Sequence, residues 1–308
     1  MQMGFDAIKF FLIFRLHQLP ASLVPVALGL AYAFWRTGIL DPLAAGAVLA
    51  LAALTQLGGF FLNDYFDHRS GVDWNAGNRT LFSGGSGLIQ TGALRAKVVL
   101  LLGAGTLGAA LALAIWLSAG KANWTLTGIY AFGILSGIFY TAPPVSASYR
   151  GWGEVLIAVN YGPTAAELGF AAQTGRLSLP LAPISLTFSG LLLAASLVHE
   201  MLDFKADQAA GKRSWVVLAG QKKGKKIFGL FFFFPFVLLV LLVGIKILPY
   251  AALLPLGTLV WAKDIHKKIN AANNDDCLYS VLTATFKVSV VFGLLLTAGL
   301  VLSSFVAP

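Results

Sequence analysis

Apolar residues run along this chain in long blocks rather than in alternation. Read between polar breaks, the blocks fall at roughly 20–36, 43–66, 97–118, 123–142, 153–174, 180–203, 226–247, 249–262 and 280–305. Most approach the ~20 residues a helix needs to cross a bilayer; the eighth is short. Leucine, alanine, phenylalanine and valine fill them with no period of two. That favours helices over a barrel, the two architectures that satisfy every backbone group in lipid. The pattern predicts an all-α integral membrane protein, a bundle of about nine transmembrane helices forming one domain over residues 1–308. Residues 5–15 are expected as an interfacial helix ahead of the first span.

Composition agrees with a lipid setting. Charged residues make up 11% of the 308 and hydrophobic ones 57%, where a soluble domain carries roughly 25% charged. No basic start followed by an apolar core and a small-residue cleavage site is seen, so a cleaved signal peptide is not expected. Cys277 is alone, which excludes an intrachain disulfide. The net charge of +9 would suit nucleic acid, but the placement of the basic residues points to topology instead. With the N-terminus cytoplasmic, 18 of the 22 Lys and Arg fall on the cytoplasmic side, counting Lys287 just inside the last span. Arg36, Lys121, Arg176 and Lys246 fall on the other. This bias predicts a cytoplasmic N-terminus and no nucleic-acid partner. "QKKGKK" (221–226) reads as part of it rather than as a specific anionic-lipid site.

Acidic residues are few, 13 in all, and six gather in two places. Asp64, Asp67 and Asp73 follow the second span in "FFLNDYFDHRSGVD" (60–73); Glu200, Asp203 and Asp207 follow the sixth. Both connections are even-numbered, so both clusters face the same side. Asp64 and Asp67 are spaced i, i+3, with Asn63 adding a neutral oxygen. Glu200, Asp203 and Asp207 are spaced i, i+3, i+7 and would share a helix face. Asp73 lies beyond Gly71, where the helix is expected to stop. A helix's C-terminal end repels carboxylates, so such clusters need compensation. Salt bridges to Arg69, Lys205, Lys212 and Arg213 are one source. Hard cations explain the repeated pattern better, since Mg²⁺ takes oxygen ligands, commonly one or two carboxylates plus substrate phosphates. His68 and His199 stand alone and are expected to be supporting rather than ligating. Between two such sites a diphosphate is the natural guest, its head at the cytoplasmic mouth and its hydrocarbon tail in a central cavity of the bundle. The glycine-rich "NRTLFSGGSGLIQTG" (78–92) could approach phosphate through backbone N–H groups or act as a lid.

These residues also resemble a family. "NDYFDHRSGVD" is similar to the first aspartate-rich motif of the UbiA superfamily of intramembrane prenyltransferases, and "DFKADQAAGKR" (203–213) to its second. Within that superfamily, "RSGVD", "YTAPPVSASYRGWGEV" (140–155) and "YGP" (161–163) resemble the 1,4-dihydroxy-2-naphthoate polyprenyltransferases of menaquinone synthesis. His199, Glu200 and Leu202 depart from that branch's two asparagines and arginine. The resemblance implies that Asn63, Asp64, Asp67 and Asp73 hold one Mg²⁺. Asp203 and Asp207 would hold a second, with Glu200 as a further candidate. Arg79, Lys212 and Arg213 are candidate diphosphate partners, with cytoplasmic motif loops at about 64–96 and 204–225. It further implies a prenyl diphosphate and an aromatic acceptor as substrates, in a bacterial or archaeal cell membrane. Phe61, Tyr65, Tyr140, Tyr149 and Tyr161 offer aromatic faces to an allylic cation.

Two polar residues inside the fifth span need a separate reading. Asn160 and Glu167 are seven apart and are expected to share a face toward the acceptor or prenyl pocket; a protonated Glu167 bonding between helices is the plainer alternative. Glu154, at the start of that span, is expected near acceptor or phosphate. Other superfamily chemistries remain open: 4-hydroxybenzoate or chlorophyllide prenylation, or terpene cyclisation. A transporter is disfavoured, because transporters place polar groups near mid-membrane in two repeats, whereas the acids here gather at one face.

Overall fold

A computed structural model describes residues 15–71, 85–121 and 123–305. Asp73, Arg79 and, apart from Arg15, the interfacial helix expected over 5–15 lie outside the described residues. Local chemistry sets the helix ends. Helix α1 (Pro20–Thr37) starts on a proline, whose missing N–H costs nothing there, and stops at Gly38 with φ of 69°. Helix α2 (Pro42–Ser70) also starts on a proline, the Asp41 carboxylate accepting the N–H groups of Leu43 and Ala44, and ends at Gly71 with φ of 83°. Asn63, Asp64 and Asp67 are therefore still helical.

The chain continues through α3 (Ala96–Gly120) and α4 (Thr125–Thr141). Helix α5 (Gly153–Val159) passes through a π-turn (Asn160–Thr164) into α6 (Ala165–Thr174). Then come α7 (Leu181–Leu202) and the short α8 (Phe204–Ala209) and α9 (Trp215–Ala219). Helix α10 (Gln221–Gly244) is followed by a 3₁₀ segment (Tyr250–Thr258), α11 (Leu259–Ala271) and α12 (Asp275–Phe305). Among the described residues there are helices and no strands.

Among the described residues, six helices are long and apolar enough to cross a membrane: Leu16–Thr37, Pro42–Ser70, Ala96–Gly120, Leu181–Leu202, Gln221–Gly244 and Asp275–Phe305. The other three predicted spans correspond to shorter or interrupted helices: the 17 residues of α4, the α5–π–α6 rod, and the 3₁₀–α11 rod. Other boundaries also move. "QKKGKK" is the first turns of α10, not a loop. The expected motif loops are partly helical, because α2 runs on to Ser70 and α8 and α9 fill much of 204–219. Helix α12 begins at Asp275, so Lys287 sits about 18 Å along it rather than just inside its start.

Helix α7 is the central strut. Of its spanning window 78% is buried, against 28% for α3 at the periphery. One apolar cluster joins α1, α6, α7, α10, α11 and α12, and a second joins α1, α2, α3, α4 and α6. Only α1 and α6 contribute to both, so their contact ties the two halves together. That contact is close because it is built on glycines. A methyl at Gly29 would overlap the Ala166 carbonyl, and one at Gly169 would overlap the Val26 carbonyl. Small residues allow such approach where lipid offers no hydrophobic drive between helices.

Gly169→Ala should therefore destabilise the protein by about 1–3 kcal/mol through overpacking, lowering the melting temperature in detergent. Gly105→Ala, where an added methyl meets nothing within 4 Å, should leave stability unchanged or raise it by up to about 1 kcal/mol. Equal melting temperatures for wild type and Gly169→Ala would show that the α1–α6 approach is looser than described.

Candidate active site

The last turns of α2 and the end of α7 meet at one end of the bundle. On α2, Asn63 Nδ2 donates to Asp67 Oδ2 at 2.6 Å, an i, i+4 contact. Asp67 Oδ1 is buried and has no hydrogen-bond partner among the described residues. Asp64 points another way: its Oδ1 accepts from Arg15 Nη2 at 2.8 Å and from the Ser86 N–H at 3.2 Å.

The second cluster is not one continuous helix. Helix α7 ends at Leu202, Asp203 joins it to α8, and Asp207 falls in the first turn of α8. That places Asp207 at the positive end of a helix, not at the repelling end expected from i, i+3, i+7 spacing. Glu200, Asp203 and Asp207 nevertheless line one chamber together with Asp67. His199 Nε2 stands 3.2 Å from Asp203 Oδ2.

Lys212 links the two clusters. Its ammonium is 3.2 Å from Asp207 Oδ1 and lies over the Tyr149 ring, 5.4 Å from the centroid. Burial alone would lower its pKa; the Asp207 and Asp67 carboxylates outweigh this and hold it above the ordinary lysine range. Asp207 is pushed up from the usual carboxylate range, first by burial and further by Asp203, with Lys212 offsetting part of the rise.

Glu154, in the first turn of α5, closes the chamber from another side. Its Oε1 accepts the Trp215 N–H, and Glu200 Oε2 accepts the Val216 N–H at 3.3 Å. Ser214 Oγ accepts from Val217 at 3.4 Å. Side chains of three segments thus satisfy the first N–H groups of α9 and seat the 203–214 segment over the chamber. Glu154 Oε2 is buried without a partner among the described residues.

The chamber holds about 150 Å³ and is lined by Asp67, Glu154, Glu200, Asp203 and Asp207 against Arg15 and Lys212. A larger, mainly apolar cavity of about 410 Å³ continues from it into the bundle. Arg15, Asn63, Tyr140, Thr141, Ser196 and His199 line both. Among the described residues no three His, Cys, Asp or Glu side chains form a ready-made metal cage. The donors are carboxylate oxygens with no sulfur, and two of those oxygens, Asp67 Oδ1 and Glu154 Oε2, are buried without a hydrogen-bond partner among the described residues. That set suits a hard divalent cation completed by ligand oxygens, which is how Mg²⁺ is commonly held.

The other residues singled out in the sequence divide. Tyr140, Asn160 and Tyr161 line the apolar cavity. Tyr65 and Phe61 pack instead with Leu88 and Val99 on the outer side of α2. Tyr149 stands behind Lys212. Asp64 and Arg213 line neither cavity. Glu167 lies outside both: its two carboxylate oxygens accept the Ser178 N–H at 3.1 Å each, because the π-turn after Asn160 breaks the seven-residue register that would have put the two on one face. Sequence reasoning missed Arg15, counted only as a topology charge, and Gln56. The one available signal for Gln56 was an amide in the middle of the apolar run 43–62.

The sequence pattern of the UbiA prenyltransferase family matches residues 22–291. The 1,4-dihydroxy-2-naphthoate octaprenyltransferase of Bacillus subtilis is 28% identical over 209 residues, 68% of this chain and 65% of that protein, so the match spans just under two thirds of that relative's length. UbiA prenyltransferase domain-containing protein 1 of Mus musculus is 28% identical over 287 residues, 92% of this chain and 81% of that protein. The structure of a UbiA homolog from Archaeoglobus fulgidus bound to DMAPP and Mg²⁺ superposes with a TM-score of 0.66 at 17% identity, covering 94% of this chain and 99% of that one.

The α9 cap has a testable consequence. Glu154→Ala should speed amide hydrogen exchange across Trp215–Ala219 and cost about 1–2 kcal/mol of local stability. Glu154→Gln, which keeps an accepting oxygen, should fall between. Unchanged exchange in Glu154→Ala would remove the cap from the account.

Proposed function

Since the chain belongs to the UbiA prenyltransferase family, we propose that it transfers a polyprenyl group from an allylic diphosphate to an aromatic acceptor, with 1,4-dihydroxy-2-naphthoate as the acceptor in menaquinone synthesis. The observation that carries the reaction is the junction of a carboxylate-rich chamber with an apolar cavity, which suits a charged head and a hydrocarbon tail. The acceptor is supported by the Bacillus subtilis relative and by the "RSGVD" and "YGP" stretches.

In this reading Asp67 would hold one Mg²⁺, with Asn63 and Asp73 assisting, while Asp64, turned to Arg15, would position that guanidinium rather than ligate; Asp203 and Asp207 would hold a second, with Glu200 beside them. Bound Mg²⁺ supplies charge neutralisation that makes diphosphate a better leaving group. Lys212 meets the phosphate oxygens from the second-motif side; Arg15 reaches them from the cavity junction, and Arg79 and Arg213 are further candidates. Tyr140, on the wall common to both cavities, presents its ring to the allylic carbon as the C–O bond breaks; a cation over such a face gains about 0.5–2 kcal/mol. The acceptor ring then forms the C–C bond, loses its carboxyl group as carbon dioxide in this branch, and is rearomatised. Walls such as Leu107, Ile134, Leu168 and Phe286 keep water from quenching the cation. In the same reading the protein crosses the cell membrane of a bacterium or archaeon about nine times as one domain, with N-terminus and chamber mouth on the cytoplasmic side.

Purified protein given a radiolabelled prenyl diphosphate, Mg²⁺ and 1,4-dihydroxy-2-naphthoate should form labelled prenylated product. Chelation should stop turnover and added Mg²⁺ restore it. Asp67→Ala and Asp203→Ala should each lose activity on the order of 100-fold or more. Undiminished turnover in both variants would exclude the chamber as the catalytic centre.

A further inference from the structure

Gln56 is the most out-of-place residue in the bundle. It lies mid-way along α2, is 8% exposed, and lines the apolar cavity. Eleven residues separate it from Asp67, about 16 Å along the helix. A diphosphate held in the polar chamber does not reach it, so its neighbour in the cavity is either hydrocarbon tail or acceptor ring.

The amide is oriented. Tyr161, from the π-turn, donates its hydroxyl to Gln56 Oε1 at 3.0 Å. The oxygen is thereby engaged, and Nε2 has no hydrogen-bond partner among the described residues. Nor is it among the side-chain atoms sealed from the cavity without a partner. The hydroxyls around it are already committed to backbone carbonyls: Thr55 to Leu51 at 2.7 Å, Tyr130 to Leu107 at 2.9 Å and Ser22 to Leu19 at 3.1 Å. Gln56 Nε2 is thus a donor that the wall leaves open on α2; Asn160, whose Oδ1 accepts from Ser136 at 2.9 Å, offers a second amide from the π-turn.

Hydrocarbon against that N–H₂ would strip its hydration and return nothing. A ring oxygen would satisfy it, and a polar site of this kind rejects guests that lack the matching atom. We propose that Gln56 is a specificity residue for the acceptor, donating through Nε2 to an oxygen substituent on the aromatic ring, and that Tyr161 is a positioning residue that holds the amide in this orientation. The cavity thus selects oxygenated aromatic acceptors, with the π-turn as the device that brings Tyr161 to face α2. This rests on the prenyl-transfer reading above and names what that reading leaves open, the group that reads the acceptor.

The experiment is steady-state kinetics with Gln56→Met, which keeps length and removes both amide atoms, and with Tyr161→Phe. The KM for 1,4-dihydroxy-2-naphthoate should rise about 3- to 10-fold in Gln56→Met, with the KM for the prenyl diphosphate unchanged. Tyr161→Phe should move the acceptor KM in the same direction by less, and should add little in the double variant. An unchanged acceptor KM, or an equal rise in the diphosphate KM, overturns the proposal while leaving prenyl transfer intact. If Gln56→Met does not accumulate, Tyr161→Phe decides alone, an unchanged acceptor KM again overturning it. A wild-type protein that transfers prenyl groups to no aromatic acceptor takes down both readings together.

Discussion

Carboxylates withdrawn from water need positive partners, and five carboxylates line one chamber here, Asp67, Glu154 and Asp207 buried and Glu200 and Asp203 half-buried. Lys212 and Arg15 meet only part of that demand. The α9 N-terminus meets another part, through the Trp215 and Val216 N–H groups. Asp67 Oδ1 and Glu154 Oε2 are left buried without a hydrogen-bond partner among the described residues. Such a concentration of acids suits the cationic charge that the proposed reaction brings, and three features of the fold hold it in place.

Three devices do so. Gly71 stops α2 just past Asp67, so Asn63, Asp64 and Asp67 lie within the helix. The break at Asp203 turns the second cluster across the chamber instead of letting it run on into water. The Glu154 and Glu200 carboxylates anchor α9 and with it the segment that carries Lys212. Behind them, the glycine contact between α1 and α6 fixes the distance between the two apolar halves, and the cavity lies between those halves.

Interrupted helices shape the cavity. The π-turn at Asn160–Thr164 sets Asn160 and Tyr161 on the cavity wall while leaving Glu167 to satisfy the Ser178 backbone outside it. Gly162 fits against Ser189 on α7 with no room for a side chain, which keeps the turn pressed on the central helix. One rod thus serves the site at one end and closes a loop at the other.

Much was legible in the chain itself. Apolar blocks of membrane length and the absence of alternation determined an all-helical membrane protein, because backbone groups in lipid have few other ways to be satisfied. The stop at Gly71 was readable from glycine's freedom at positive φ. That both acid clusters face one side followed from counting crossings, which needs no coordinates. What the sequence could not decide was anything set by contacts between distant segments or by interruptions within a helix. Periodicity assumes an unbroken helix, so it put Glu200, Asp203 and Asp207 on one face and Asn160 with Glu167 on another. Packing at Asp203 and the π-turn replaced both arrangements. Composition could not show that Arg15 would turn to Asp64, that Tyr65 and Tyr149 would line neither cavity, or that Gln56 would line one. Those directions depend on which helices become neighbours, and only the packed bundle determines that.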